Sequence, residues 1–211
     1  MKKNNGISPV ATIVIMVAIV GGVGYFLFKT SPQSVSTVSS AGAASVGSMH
    51  GDTTQLDSLI GKPLPEMHLV DKDGNVYTAE SFKGKTNVLF FNEGLMCYPA
   101  CWNQIASFGS DARFNNDQVQ AFSVLVDPSK DWQTAVTQMP ELAKSKTLFD
   151  VGAAVSGNLG LLTLPSSMHR GSLPGHTYIV VDKEGIVRYV FDDPTMGIAN
   201  DMLAAKIAQL K

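Results

Sequence analysis

Residues Asn87 to Asn92 read NVLFFN, and the nine residues that follow, EGLMCYPAC, carry both cysteines of the chain, Cys97 and Cys101. The apolar residues Val88 to Phe91 are consecutive rather than alternating, so a strand built from them is apolar on both faces. Such a strand needs cover on both sides, which is the position of a central strand in a sheet sandwiched between helices. The same stretch places the cysteines where that strand ends and a helix begins. In open α/β sheets, ligand and catalytic groups gather at that edge.

The rest of residues 56–211 agrees with an α/β reading. MHLVDKDGNVYTAESF predicts a short hairpin with its turn at Asp73-Gly74. VQAFSVLVD, Val119 to Asp127, predicts a second buried strand, and TLFD a short third. ACWNQIASFGSDARF repeats its apolar residues at helical spacing, and SKDWQTAVTQM predicts a helix capped by Ser129. VGAAVSGNLG reads as a short helix or turn. HTYIVVD and GIVRYVF form a late hairpin, and GIANDMLAAKIAQLK a closing helix. Strands alternating with helices imply a mixed sheet with helices on both faces.

The N-terminal part differs in kind. From Ile7 to Phe28 there are 22 residues without a charge, enough to cross a bilayer as a helix. The run exceeds the apolar core of a cleaved signal peptide. Lys2 and Lys3 precede it, which predicts residues 1–6 on the cytoplasmic side and the remainder outside. Residues 29–55, rich in Ser, Gly and Ala, predict a flexible tether. The chain is thus expected to be a single-pass cell-membrane protein with an extracytoplasmic domain. A net charge of −2 without a basic cluster argues against nucleic acid as a partner.

Two cysteines are too few for a disulfide-dense scaffold, so their chemistry is local. At this spacing they suit a structural staple, a redox couple, a peroxide-reducing site or a metal clamp. A bridge across so small a loop adds little chain-entropy stabilisation, which makes a staple the weakest choice. Pro99 suits the first turn of a helix, with Cys97 at its entrance and Cys101 in or near its first turn. The unpaired N–H groups and dipole there favour a thiolate.

The stretch GKPLPEMHLVDKDGNVYTAESFKGKTNVLFFNEGLMCYPAC, with the later PGHTYIVVDKEGIVRYVF, resembles the thioredoxin-like redoxins of the alkyl hydroperoxide reductase / thiol-specific antioxidant superfamily, which includes the peroxiredoxins. The resemblance implies a thioredoxin-like domain over residues 56–211 and a thiol-based oxidoreductase activity without a required cofactor. Peroxiredoxins carry Pro-x-x-x-Thr/Ser-x-x-Cys. Counting back from Cys97 gives Gly94 and Phe90 at those places, and from Cys101 gives Tyr98 and Gly94, so neither cysteine has the motif. Thioredoxins use Cys-x-x-Cys, and here three residues intervene. Cys-x-x-x-Cys with a histidine before a late strand is similar to the Sco-type copper chaperones, and that resemblance implies Cys97, Cys101 and His176 as copper ligands. Soft thiolates and imidazole suit copper. Sco proteins continue with proline after the second cysteine, however, and this chain has Trp102.

Among the neighbours, Glu93 is placed either to shuttle the Cys97 proton or to cap the helix, and His176 to act at the pair. His169 lies in a Ser/Gly-rich loop and reads as loop packing or solvent-exposed, with an approach to the site as the alternative, and Arg170 or Arg188 are further candidates to approach it. Trp102, Met96 and Met168 read as packing residues, and His68 as structural or exposed. The leading expectation is thiol–disulfide exchange, with Cys97 attacking and Cys101 resolving. Its partners would be extracytoplasmic protein thiols or disulfides and a membrane electron donor. A copper chaperone and a thiol peroxidase with a degenerate motif are the alternatives.

Overall fold

A computed structural model describes residues 52–210. The expected segment 1–6, the membrane span 7–28 and the tether up to residue 51 lie outside the described residues. Among the described residues, no helix is long and apolar enough to cross a membrane.

The chain forms α1 (Thr54–Asp57), β1 (Leu69–Val70), β2 (Val76–Tyr77), β3 (Thr86–Asn92), α2 (Ala100–Ser110), β4 (Val119–Leu125) and α3 (Ser129–Gln138). It continues through β5 (Lys146–Phe149), α4 (Ala154–Asn158), β6 (Thr177–Val181), β7 (Val187–Asp192) and α5 (Asn200–Ala208). The strands form one sheet in the order β2-β1-β5-β4-β3-β6-β7. β3, β4 and β5 are parallel, while β6 runs antiparallel to β3, and β7 to β6.

β3 therefore lies inside the sheet, as its apolar run requires. Its side chains alternate between two cores. Leu89 and Phe91 face one core with Leu56 of α1 and Val155 of α4, and Val88 and Phe90 face the other with residues of α2, α3 and α5. Val88 to Phe91 are each 0% exposed, and full burial of such a side chain contributes about 1.5–3 kcal/mol. The first hairpin turns at Gly74, whose φ of +84° suits glycine, and β1 pairs with β2 antiparallel.

Three local expectations are corrected. Ser129 is the first residue of α3 rather than its cap; Pro128 holds the cap position, and no side chain bonds there. Thr54 and Gln55, assigned to the tether, belong to α1, which is anchored by the buried Leu56. Pro99 stands at the N-cap of α2, outside its first turn, so Cys97 closes a short 3-10 turn, Gly94–Cys97, ahead of the helix. The physical reason is Pro99 itself. A residue before proline is pushed out of the helical region, and Tyr98 is extended at φ −80°, ψ 137°.

Candidate functional site

The turn carrying Cys97 is tied down from three sides. Gly94 N–H donates to Asn92 Oδ1 at 3.0 Å, Leu95 N–H to Asp127 Oδ2 at 3.0 Å, and Trp102 Nε1–H to the Gly94 carbonyl at 3.1 Å. Burial pushes the Asp127 carboxyl above its ordinary range. Cys101 follows in the first turn of α2, and the two sulfurs are joined in a disulfide with the Cα atoms 5.3 Å apart. Cys97 is 2% exposed and Cys101 0%, so both cysteines of the pair are buried, Cys101 completely.

His176 immediately precedes β6, and its Nδ1 lies 3.6 Å from Cys101 Sγ. Its ring packs edge-on against Phe90 of β3, with the centroids 4.6 Å apart. Its Nε2 lies 2.8 Å from the Tyr178 hydroxyl, two residues on and on the same strand face. Burial pulls the imidazole down to about 4, outweighing the opposing pulls of Asp193 and the Gly197 backbone. At neutral pH the ring is therefore uncharged. Burial likewise pushes the Tyr178 phenol up, so it stays protonated.

Cys97, Cys101 and His176 thus converge as expected, with one donor atom of each within 4.8 Å of the others. This is also the donor set implied by the Sco resemblance. In this state, however, the two sulfurs are bonded to each other and neither is a thiolate, the form a soft metal requires.

Glu93 behaves differently from either expectation. It is 1% exposed, and both carboxylate oxygens turn to the loop before β6. Oε1 accepts from the backbone N–H of Met168 at 2.7 Å and of His169 at 3.2 Å, and Oε2 lies 2.8 Å from His169 Nδ1. Glu93 makes no side-chain cap. His169 thereby reaches the site's edge through Glu93. Arg170 bonds the Pro165 carbonyl and Arg188 pairs with Asp182, so neither guanidinium is engaged at the sulfurs. Trp102 is buried, as expected, and His68 is exposed. Met96 and Met168 are not packing residues: they are 58% and 61% exposed, and Tyr98, two residues after Met96, is 69% exposed. A groove of about 470 Å³ lined by Leu95, Tyr98, Trp102, Asp131 and Gln138 adjoins the cysteine turn. A separate cleft of about 380 Å³ around Tyr77, Trp132 and Lys146 has neither cysteine nor His176 in its wall.

The sequence reading missed Tyr178, Gln104 and Asn200. Two of them had a signal. Tyr178 lies two residues after His176 in a strand, and Gln104 three after Cys101 in a helix, so each shares a face with a site residue.

Residues 60–190 match the sequence profile of the AhpC/TSA family. The chain is 29% identical over 157 residues to the chloroplastic peroxiredoxin Q of Triticum aestivum, covering 72% of this chain and 64% of that protein. It is 30% identical over 139 residues to the chloroplastic peroxiredoxin Q of Suaeda salsa, covering 63% of this chain and 59% of that one. The chain therefore spans roughly three fifths of the length of these relatives. Among solved structures, peroxidoxin BcpB from Mycobacterium tuberculosis superposes with a TM-score of 0.59 at 19% identity, covering 72% of this chain and 97% of that one. A putative protein disulfide isomerase from Bacteroides thetaiotaomicron gives a TM-score of 0.54 at 16% identity, covering 71% and 88%. These likenesses establish a thioredoxin-like fold.

Proposed function

The chain belongs to the AhpC/TSA family, and from that premise we infer that it is a membrane-anchored thiol–disulfide oxidoreductase working outside the cytoplasm through Cys97 and Cys101. The observation that carries this reading is the Cys97–Cys101 disulfide at the junction of β3 and α2, with His176 against the Cys101 sulfur. The 22-residue uncharged run from Ile7 to Phe28 supports the anchor, and Lys2 and Lys3 support an outward-facing domain. Disulfides persist in that compartment, where such a pair has substrates.

In the reductive direction, Cys97 thiolate attacks a partner disulfide and expels one partner thiolate, leaving a mixed disulfide. Cys101, deprotonated, attacks Cys97 Sγ and expels the second partner thiolate. Two electrons pass to the partner, and the Cys97–Cys101 bond forms. A membrane donor of the thiol type then returns the pair to the dithiol, and no cofactor is needed. Because Cys97 is only 2% exposed, an in-line approach requires the Gly94–Pro99 segment to shift. Exposed Met96, Tyr98 and Met168 offer an apolar surface for a protein partner.

A thiol peroxidase is the second reading, favoured by the peroxiredoxin names of the relatives. Against it, counting back from Cys97 puts Gly94 at the hydroxyl's place and Phe90, in the core, at the proline's, and counting back from Cys101 puts Tyr98 and Gly94 at those two places.

The deciding experiment offers the reduced full chain a disulfide-bonded protein or hydrogen peroxide in turn. Faster oxidation by the protein disulfide is expected, with Cys101→Ser trapped as a mixed disulfide on Cys97. Peroxide turnover that outruns protein disulfide exchange would establish the peroxidase instead. Tight Cu(I) binding by the dithiol that is lost in His176→Ala, with no exchange, would restore the copper reading.

A further inference from the structure

A line of buried polar side chains runs to the Cys101 sulfur, and its hydrogen-bond directions are fixed from the far end. The Ala199 backbone N–H can only donate, so the Gln104 atom it meets at 2.7 Å is the carbonyl oxygen Oε1. Gln104 Nε2 then donates to Asn200 Oδ1 at 2.8 Å. Asn200 Nδ2 in turn donates to the Asp111 carboxylate at 2.9 Å, a pure acceptor. Both amide orientations are consistent at each end. The Tyr178 hydroxyl has a single proton and gives it to Gln104 Oε1 at 3.1 Å, an oxygen with none to return. His176 Nε2, 2.8 Å from the same hydroxyl, must therefore donate. A neutral imidazole has one N–H, so Nδ1 is a bare lone pair, and it faces Cys101 Sγ at 3.6 Å.

In the disulfide that sulfur has no proton to offer. Nδ1 is thus a buried acceptor without a donor, on a residue that is 0% exposed. An acceptor left unmade in the interior is costly, whereas one made is modestly favourable. Reduction changes the balance, because Cys101 becomes a thiol whose S–H can be given to Nδ1.

We propose that His176, locked by Tyr178 in the Nε2–H tautomer, sets the redox poise of the pair by providing the Cys101 thiol with an acceptor that the disulfide cannot use. His176 touches the reacting sulfur, while Tyr178 acts through it as a positioning residue. The effect favours the dithiol and makes the protein a stronger oxidant than the same disulfide without the histidine. The proposal rests on the exchange reading above. The equilibrium concerned is dithiol plus oxidised glutathione giving disulfide plus two reduced glutathiones, a transfer of two electrons and two protons.

The same chain of bonds also ties α5 to α2, and a purely structural role would leave that equilibrium unmoved. The test equilibrates the full chain with glutathione redox buffers and reads the oxidised fraction in the natural protein, Tyr178→Phe and His176→Phe. Both variants are expected to move the equilibrium constant about tenfold toward the disulfide, ~30 mV more reducing for a two-electron couple. In Tyr178→Phe the ring loses its Nε2 partner and is free to place the proton on Nδ1, where it donates to the sulfur. Long-range proton–nitrogen spectra of histidine-labelled oxidised protein, with the His176 signals identified by their loss in His176→Phe, are expected to show the proton on Nε2. A proton on Nδ1, or a constant unchanged in both variants, overturns the proposal and leaves thiol exchange standing. A natural protein that reaches no glutathione-dependent equilibrium overturns the exchange reading and the proposal together.

Discussion

Gly94 carries the tightest steric constraint in the cysteine turn. Its φ is +57°, and a Cβ there would lie 1.7 Å from Asp127 Oδ2, the oxygen that accepts the Leu95 N–H. Gly94→Ala must evict Asp127 and also hold alanine in the left-handed region, a backbone cost of roughly 1–3 kcal/mol. A lower urea midpoint at unchanged slope is the expected result. A midpoint equal to that of the natural protein would mean that the turn relaxes without cost. His176 makes a second residue-scale prediction. Burial holds it at about 4, below its ordinary 6.5. Between those values the unfolded chain binds a proton that the folded chain refuses, so stability falls as pH drops from 6.5 towards 4 and is unaffected above 6.5. The slope is at most ~1.4 kcal/mol per pH unit. His176→Phe is expected to flatten this dependence between pH 7 and pH 5, and an equal acid loss in the variant would place the titration elsewhere.

At the scale of elements, strands were legible because burial on both faces writes an uninterrupted apolar run, as in Val88–Phe91 and Ile179–Val181. The cysteine site was legible for the same reason, since it follows the end of β3. The start of α2 was not, because Pro99 fits a first turn as well as a cap, and the choice rests on Tyr98 being extended. Contacts across long separations were illegible too. Nothing in the sequence joins Glu93 to Met168 and His169, or Gln104 to Asn200, residues brought together only by the packing of distant segments. The Glu93 contact makes an element-scale prediction. With its carboxylate gone, two loop N–H groups lose their acceptor and residues 165–172 come loose. Glu93→Ala is expected to speed tryptic cleavage after the exposed Arg170 several-fold while the Cys97–Cys101 disulfide still forms. Unchanged cleavage would show that the contacts of Ser166 with Asp192 and with the His176 N–H hold the loop alone.

For the whole molecule, the sheet divides the folded domain into two cores, and the cysteine pair belongs to the one packed by α2, α3 and α5. Under the proposed function, a buried disulfide served by protein partners would suit a chain held near the surface of a membrane, where substrates and an electron donor would both be within reach of a tether. On the proposed anchoring, residues 29–51 would supply the reach and the uncharged run 7–28 the hold. The arrangement makes two linked demands. The full chain should remain in the membrane pellet after alkaline extraction, and a chain lacking residues 7–28 should be released. A protease added to intact cells should digest the domain only if it faces outward, the orientation proposed from Lys2 and Lys3. A chain that stays in the pellet but is protected from outside protease would reverse the orientation. The dithiol pair would then face the reducing compartment, where a stable disulfide is the exception and exchange with secreted proteins is lost.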